Sequence, residues 1–140
     1  MKAKILCADI PTGDIYRQLC SLCGQDTQIL TAGDGHEALR LLKLHGSSVR
    51  LAIFNTLLPV MDGVSLCRNI RKSERWQTLP VVLVGDNEKE REASLEAGCT
   101  EYLSRPCSKA KLSEILDKAL CLVWDESEAR TRDQLSILVV

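Results

Sequence analysis

A chain of 140 residues, 45% hydrophobic and 26% charged, is long enough to bury one sizeable core as a single domain. Eighteen basic against nineteen acidic side chains leave a net charge of -1, which speaks against a general nucleic-acid-binding surface. No apolar run reaches the ~18 residues of a membrane span, and the amino-terminal stretch from Met1 to Ala8 runs straight into a strand pattern instead of reading as a signal peptide.

Short apolar runs then alternate with helical patterns, which predicts β–α units around a parallel sheet and an α/β fold. The first strand covers Lys4 to Ala8. The first helix follows Thr12 as N-cap, with Ile15, Leu19 and Leu22 on one face and Gly24 as its stop. The second strand spans about Thr27 to Thr31. The second helix follows Asp34-Gly35, turns Ala38, Leu41 and Leu42 inward and ends at Gly46. The third strand, Val49 to Phe54, is apolar nearly throughout, as expected where helices cover both faces of a sheet.

The third helix starts near Asp62-Gly63 and carries Val64, Cys67 and Ile70. The fourth strand is Pro80 to Val84. The fourth helix runs from about Glu88 to Ala97, with Asn87 as N-cap and Glu90 in the capping-box position. It is the most polar of the set, with Ala93, Leu95 and Ala97 to pack, and reads either as a partner-facing surface or as an ordinary solvated helix. The fifth strand is Glu101 to Ser104, and the fifth helix follows Ser108 with Leu112, Ile115, Leu116, Ala119 and Leu120 on its inner stripe. The domain is expected to occupy residues 1–124. Residues 125–140 form an extension, charged to Gln134 and then β-prone, which reads as the start of a linker, or as an added edge strand or homodimer contact.

Seven cysteines without a disulfide-framework spacing suit reduced thiols in a cytoplasmic domain, used as small buried hydrophobes. Cys20 and Cys23 form a C-x-x-C at a helix end, away from the helix start where thiolates are activated, and no second pair completes a zinc site. His36 and His45 fall at the start and end of the second helix, where they read as solvated side chains. No nucleophile–base pair can be placed, so no enzymatic activity and no cofactor are expected.

Ligands of open α/β sheets bind beyond the carboxyl ends of the strands. The residues there are Asp9 and Ile10, Asn55, then Val84, Gly85 and Asp86, and finally Arg105. Three stretches give them meaning: T-A-G-D-G-H-E-A-L at 31–39, L-L-P-V-M-D-G at 57–63, and L-E-A-G-C-T-E-Y-L-S-R-P at 95–106. With them, roughly residues 3–122 resemble the receiver domain of two-component response regulators. The resemblance implies a flavodoxin-like (βα)5 fold with strand order 2-1-3-4-5.

A working receiver of that family holds magnesium with two adjacent carboxylates after the first strand and an acceptor aspartate four residues before a proline. A Ser or Thr after the fourth strand and a lysine after the fifth bind the phosphoryl oxygens. Here the acidic pair is Asp9-Ile10, the acceptor position is Asn55, the hydroxyl position is Val84 or Gly85, and the lysine is Arg105. Four of these five positions depart from the pattern. An amide is no nucleophile toward a phosphoryl group, and Asp9 alone is a poor magnesium site, so metal binding is expected to be weak or absent. Arg105 is expected to pair with Asp9 and fill the site, and the Arg105-Pro106 bond to be cis, as is usual in the family. Tyr102 matches the family's switch aromatic. Its ring is either fixed, or moved by a partner, or half-packed at the sheet edge with its hydroxyl in water.

The expectation is a degenerate receiver in phosphorelay-type signalling. It would act by phosphorylation-independent contact with a protein partner, such as a signalling kinase or output domain, through the fourth helix, fifth strand and fifth helix, without nucleic acid or membrane. Alternatives are a receiver phosphorylated at Asp9 or Asp86, a redox sensor using Cys20/Cys23 or Cys99/Cys107, and a flavodoxin-like cofactor binder. The last is disfavoured because the loop from Asp9 to Asp14 lacks a glycine- and hydroxyl-rich phosphate cradle.

Overall fold

The structure is a computed structural model. It describes residues 3–10 and 13–132, with side chains described as far as 120. Five strands, β1 (Ala3–Ala8), β2 (Thr27–Ala32), β3 (Val49–Asn55), β4 (Val81–Gly85) and β5 (Glu101–Ser104), form one parallel sheet in the order β2-β1-β3-β4-β5. The helices between and after them are α1 (Ile15–Leu22), α2 (Gly35–His45), α3 (Gly63–Arg71), α4 (Lys89–Glu96) and α5 (Lys109–Arg132). Fold class and strand order are those anticipated from the sequence.

Alternation along the strands divides the apolar residues between two cores, because successive side chains point to opposite faces of a sheet. Leu6, Ala52, Phe54, Val81 and Leu83 pack on the side of α2 and α3 with Leu42, Leu66 and Ile70. Ile5, Cys7, Leu51, Ile53, Val82 and Val84 pack on the side of α1 and α5 with Leu19, Leu112 and Ile115. Both faces of β3 are closed beyond Arg50, which is why that strand reads as a nearly continuous apolar run.

Helix starts follow local side-chain chemistry. Asp34 Oδ1 accepts from the Glu37 N–H at 2.7 Å and Glu37 Oε1 accepts in return from the Gly33 N–H at 2.9 Å. Asp62 caps α3 through the Ser65 N–H, and Ser108 Oγ takes the Lys111 N–H at 2.9 Å. Thr12, the expected cap of α1, lies outside the described residues. The first helical N–H, that of Ile15, is instead taken by Asp9 Oδ2 at 3.1 Å.

Two expectations need correction. Glu90 forms no capping box, because its carboxylate turns inward to Thr56 and Tyr102. That sets the phase of α4. Glu90, Ser94 and Ala97 follow one another at helical spacing toward the sheet, while Ala93 and Leu95 are exposed. Tyr102 is not half-packed at an edge: it is 2% exposed, and its hydroxyl is bonded within the protein. Helix α5 runs from Lys109 to Arg132 and so crosses the position expected to separate domain from extension. The β-prone end, Leu135 to Val140, lies outside the described residues.

Candidate functional site

Adjacent parallel strands end side by side, and β1 and β3 therefore deliver Asp9 and Asn55 to one spot. Asn55 is 1% exposed. Its Nδ2 donates to Asp9 Oδ1 at 2.8 Å, and its Oδ1 accepts from the Leu57 N–H at 2.8 Å. An ionised carboxylate only accepts, so the amide must present its NH2 to Asp9 and its oxygen to the backbone. Asp9 is further occupied. Its Oδ1 accepts from the Ile10 N–H at 2.8 Å, and its Oδ2 from the Ile15 N–H at the head of α1. Gly13 lies so close over this carboxylate that a β-carbon there would fall 2.1 Å from Asp9 Oδ2.

Arg105 follows β5 through a cis bond to Pro106 and reaches across the strand ends. Its Nη1 donates to Asp86 Oδ1 at 3.1 Å, while Nη2 stands 3.8 Å from Asp9 Oδ1. The expected pairing with Asp9 is therefore within ion-pair range, but Asp86 is the closer partner. The Asp86 side chain is 58% exposed, so that contact adds at most about 1 kcal/mol. The Nη2 atom is buried and makes no hydrogen bond among the described residues. Ile10, Gly13, Asp14, Asn55, Leu57, Asp86 and Arg105 line a shallow cavity of about 340 Å³. A larger one of about 440 Å³, beside Arg75 and Trp76, opens where β3 and β4 begin, at the other end of the sheet. Strand-end geometry favours the smaller as the site.

Of the two candidates for the hydroxyl position, Val84 packs into the core under α1 and α5, and Gly85 faces Glu90 and Tyr102 on the other side of the sheet. Above Gly85 the structure assembles a group that sequence reasoning missed. Glu90 Oε1 accepts from Thr56 Oγ1 at 3.0 Å and lies 3.2 Å from the Tyr102 hydroxyl. The same hydroxyl donates to the Asn87 carbonyl, and Thr56 is 3% exposed. Burial, with the Glu90 carboxylate beside it, pushes the Tyr102 phenol up to about 12. A glycine preceding a charged helix start was the only signal for this cluster in the sequence.

The remaining candidates lie elsewhere. Cys99 belongs to the core on the α2–α3 side of the sheet, and Cys107 packs against the core on the opposite side, so the sheet separates them. Cys20 is exposed near the end of α1, and Cys23 follows the helix as its C-cap. Burial raises the thiols of Cys23 and Cys107 and pushes Cys99 up to about 11, which keeps them protonated and poorly nucleophilic. His45 meets Lys4 Nζ at 3.2 Å, and neither histidine lines the cavity. Among the described residues no group of three or more His, Cys, Asp or Glu side chains could hold a metal ion, and no helix is long and apolar enough to cross a membrane.

A family model described as the response regulator receiver domain matches residues 12–117. The alkaline phosphatase synthesis transcriptional regulatory protein PhoP of Bacillus subtilis is 26% identical over 113 residues, covering 81% of this chain and 46% of the relative. The sensor histidine kinase CheAY of Helicobacter pylori is 30% identical over 102 residues, covering 71% of this chain and 13% of the relative. The chain thus spans less than half the length of these curated relatives. Among solved structures, a sensor histidine kinase receiver domain from Pseudomonas aeruginosa, with magnesium coordinated in its active-site cleft, superposes with TM-score 0.70 at 28% identity, covering 84% of this chain and 97% of that one. A receiver domain of a histidine kinase from Syntrophus aciditrophicus gives TM-score 0.74 at 27% identity, covering 86% and 92%.

Proposed function

The chain belongs to the response regulator receiver domain family of two-component signalling, and on that premise we propose that it is a receiver which has lost phosphoryl chemistry and acts by protein–protein contact alone. The observation that carries this reading is the Asn55–Asp9 hydrogen bond. Where a phospho-accepting site needs an anionic nucleophile, this chain has an amide whose NH2 is spent on the neighbouring carboxylate.

Magnesium does not suit the donors present. The metal needs hard oxygens in near-octahedral geometry. Asp9 already accepts from two backbone N–H groups and the Asn55 amide, with Arg105 beside it. The Asn55 oxygen is turned to the Leu57 N–H, and Ile10 supplies no oxygen from its side chain. Binding at Asp9 is therefore weak or absent. Asp9 is a poor substitute as acceptor because its oxygens are already occupied, and Asp86 because it stands 58% exposed with no second carboxylate to complete a metal site beside it among the described residues.

The contact surface is the face made by α4, β5 and α5, and the partner is a signalling kinase or an output domain in the cytoplasm. Helix α4 exposes Leu95 and a charged ridge there, including Glu88 and Arg91 bonded to each other at 2.6 Å. The receiver unit proposed is residues 1–124, with 125–140 as an extension that begins within α5.

Intact mass after incubation with magnesium and a small-molecule phosphodonor tests the reading. The expected result is an unchanged mass. A stoichiometric phosphate adduct overturns the proposal, and fragment masses would then locate the acceptor among Asp9, Asp86 and others.

A further inference from the structure

Glu90 lies outside the phosphoryl site at Asp9 and Asn55, yet four elements converge on it. Its Oε1 accepts from Thr56 Oγ1 on the chain leaving β3 and lies within reach of the Tyr102 hydroxyl on β5. It occupies space over Gly85 at the end of β4, where a β-carbon would sit 2.0 Å from that same oxygen and 2.3 Å from the Tyr102 hydroxyl. Glu90 itself stands in the first turn of α4. Bonds to a charged acceptor are stronger than neutral ones, and this acceptor is half-buried.

We propose that the Glu90 carboxylate is a built-in latch: it fills the room left by the missing side chain at Gly85 and gathers the hydroxyls of Thr56 and Tyr102, holding the Tyr102 ring inside and α4 against the end of β3 without any signal. The latch rests on the reading of Gly85 as the hydroxyl position of a receiver. Its physical basis is volume as well as charge. Any side chain at 85 takes the place the carboxylate needs, so the glycine and the glutamate are one arrangement. On the outer side the Arg91 guanidinium lies 5.3 Å from the Tyr102 ring centre and covers it. The α4–β5 face is thereby fixed with its aromatic side chain turned in, and a partner meets a surface of one shape.

The latch predicts that Tyr102 is released when Glu90 is shortened. The full chain is labelled with fluorotyrosine in a Tyr16→Phe background, so that Tyr102 gives one fluorine signal. The shift of that signal between H2O and D2O reads ring exposure, with free fluorotyrosine as the exposed reference. In the parent the shift is small. Glu90→Ala moves it toward the free amino acid, and Glu90→Gln, whose amide oxygen still accepts from Thr56 and fills the same space beside the Tyr102 hydroxyl, keeps it small. A Glu90→Ala protein with the parent's shift overturns the proposal. Should that variant not fold, Gly85→Ala, which displaces the carboxylate and the hydroxyl together, takes its place: a shift moved toward the free amino acid supports the latch, and the parent's shift overturns it. The latch and the loss of phosphorylation fail separately. A phosphate adduct with Tyr102 still held removes the second and leaves the first, and an unchanged mass with Tyr102 exposed in the parent does the reverse.

Discussion

Two side chains decide the chemistry at the strand ends. Replacing Asn55 with Asp takes a donor from Asp9 and puts a second carboxylate at 2.8 Å from it. Like charges so close raise the pKa of one of them above its unfolded value of about 4. A group shifted in that direction contributes stability below its unfolded pKa and loses it as pH rises through the folded one. Asn55→Asp is therefore expected to cost about 1–3 kcal/mol at pH 7 and much less at pH 4, checked by urea denaturation at both. Arg105→Ala removes the cation between Asp9 and Asp86, and its amide spectrum should shift at the β5–α5 turn and at the end of β1. An unchanged spectrum there would show that the guanidinium organises nothing. The gathering of Asp9, Asn55 and Arg105 was legible in the sequence, since strand ends in a known topology fix it. The faces taken by Val84 and Gly85 were not, because one residue of strand phase sends a side chain to the opposite face of the sheet.

Between elements, the turn from β3 to α3 stores strain. Val60 has φ of 68°, and the Met61 N–H bonds the Pro59 carbonyl across it at 2.7 Å, a tight γ-turn that a β-branched residue adopts at a cost. Its side chain is 80% exposed and packs on little. Relieving the backbone gains about 1–3 kcal/mol and glycine's extra chain entropy returns part of it, so Val60→Gly should stabilise by about 1 kcal/mol in urea denaturation. The L-L-P-V-M-D-G stretch located this turn correctly, but nothing in its letters shows which residue carries the positive φ. Helix α4 teaches the same lesson. Glu90 fits a capping box by spacing alone, and only the arrival of Thr56 and Tyr102 from distant strands makes an inward turn the better use of its carboxylate.

At the scale of the whole molecule, the order of five β–α units was readable because each apolar run is short, continuous and followed by a helical period. The length of α5 was not, because the sequence from Asp125 on is charged and shows no regular apolar period. Cys7, Cys67 and Cys99 behave as buried hydrophobes within the two cores. Burial pushes Cys7 up to about 12 and Cys99 to about 11 from an ordinary 9.0, and raises Cys67 as well. These thiols stay neutral in the folded state after their unfolded counterparts ionise. Their contribution to stability is complete below about pH 9 and falls away as pH rises through the folded values. The urea midpoint should therefore drop between pH 8 and pH 11, and native protein should leave Cys7, Cys67 and Cys99 unreacted with iodoacetamide at neutral pH.

The close seat of Glu90 over Gly85 also bears on the order in which a phosphate-accepting site could be built into this domain. A threonine placed at 85 collides with the carboxylate, and an aspartate placed at 55 repels Asp9, so each single step toward a phosphate-accepting site leads downhill in stability. A shorter residue at 90 opens the path, since it empties the space before the hydroxyl arrives. Building such a site is thus a question of sequence in time: position 90 first, then 85, with 55, 10 and 105 after them.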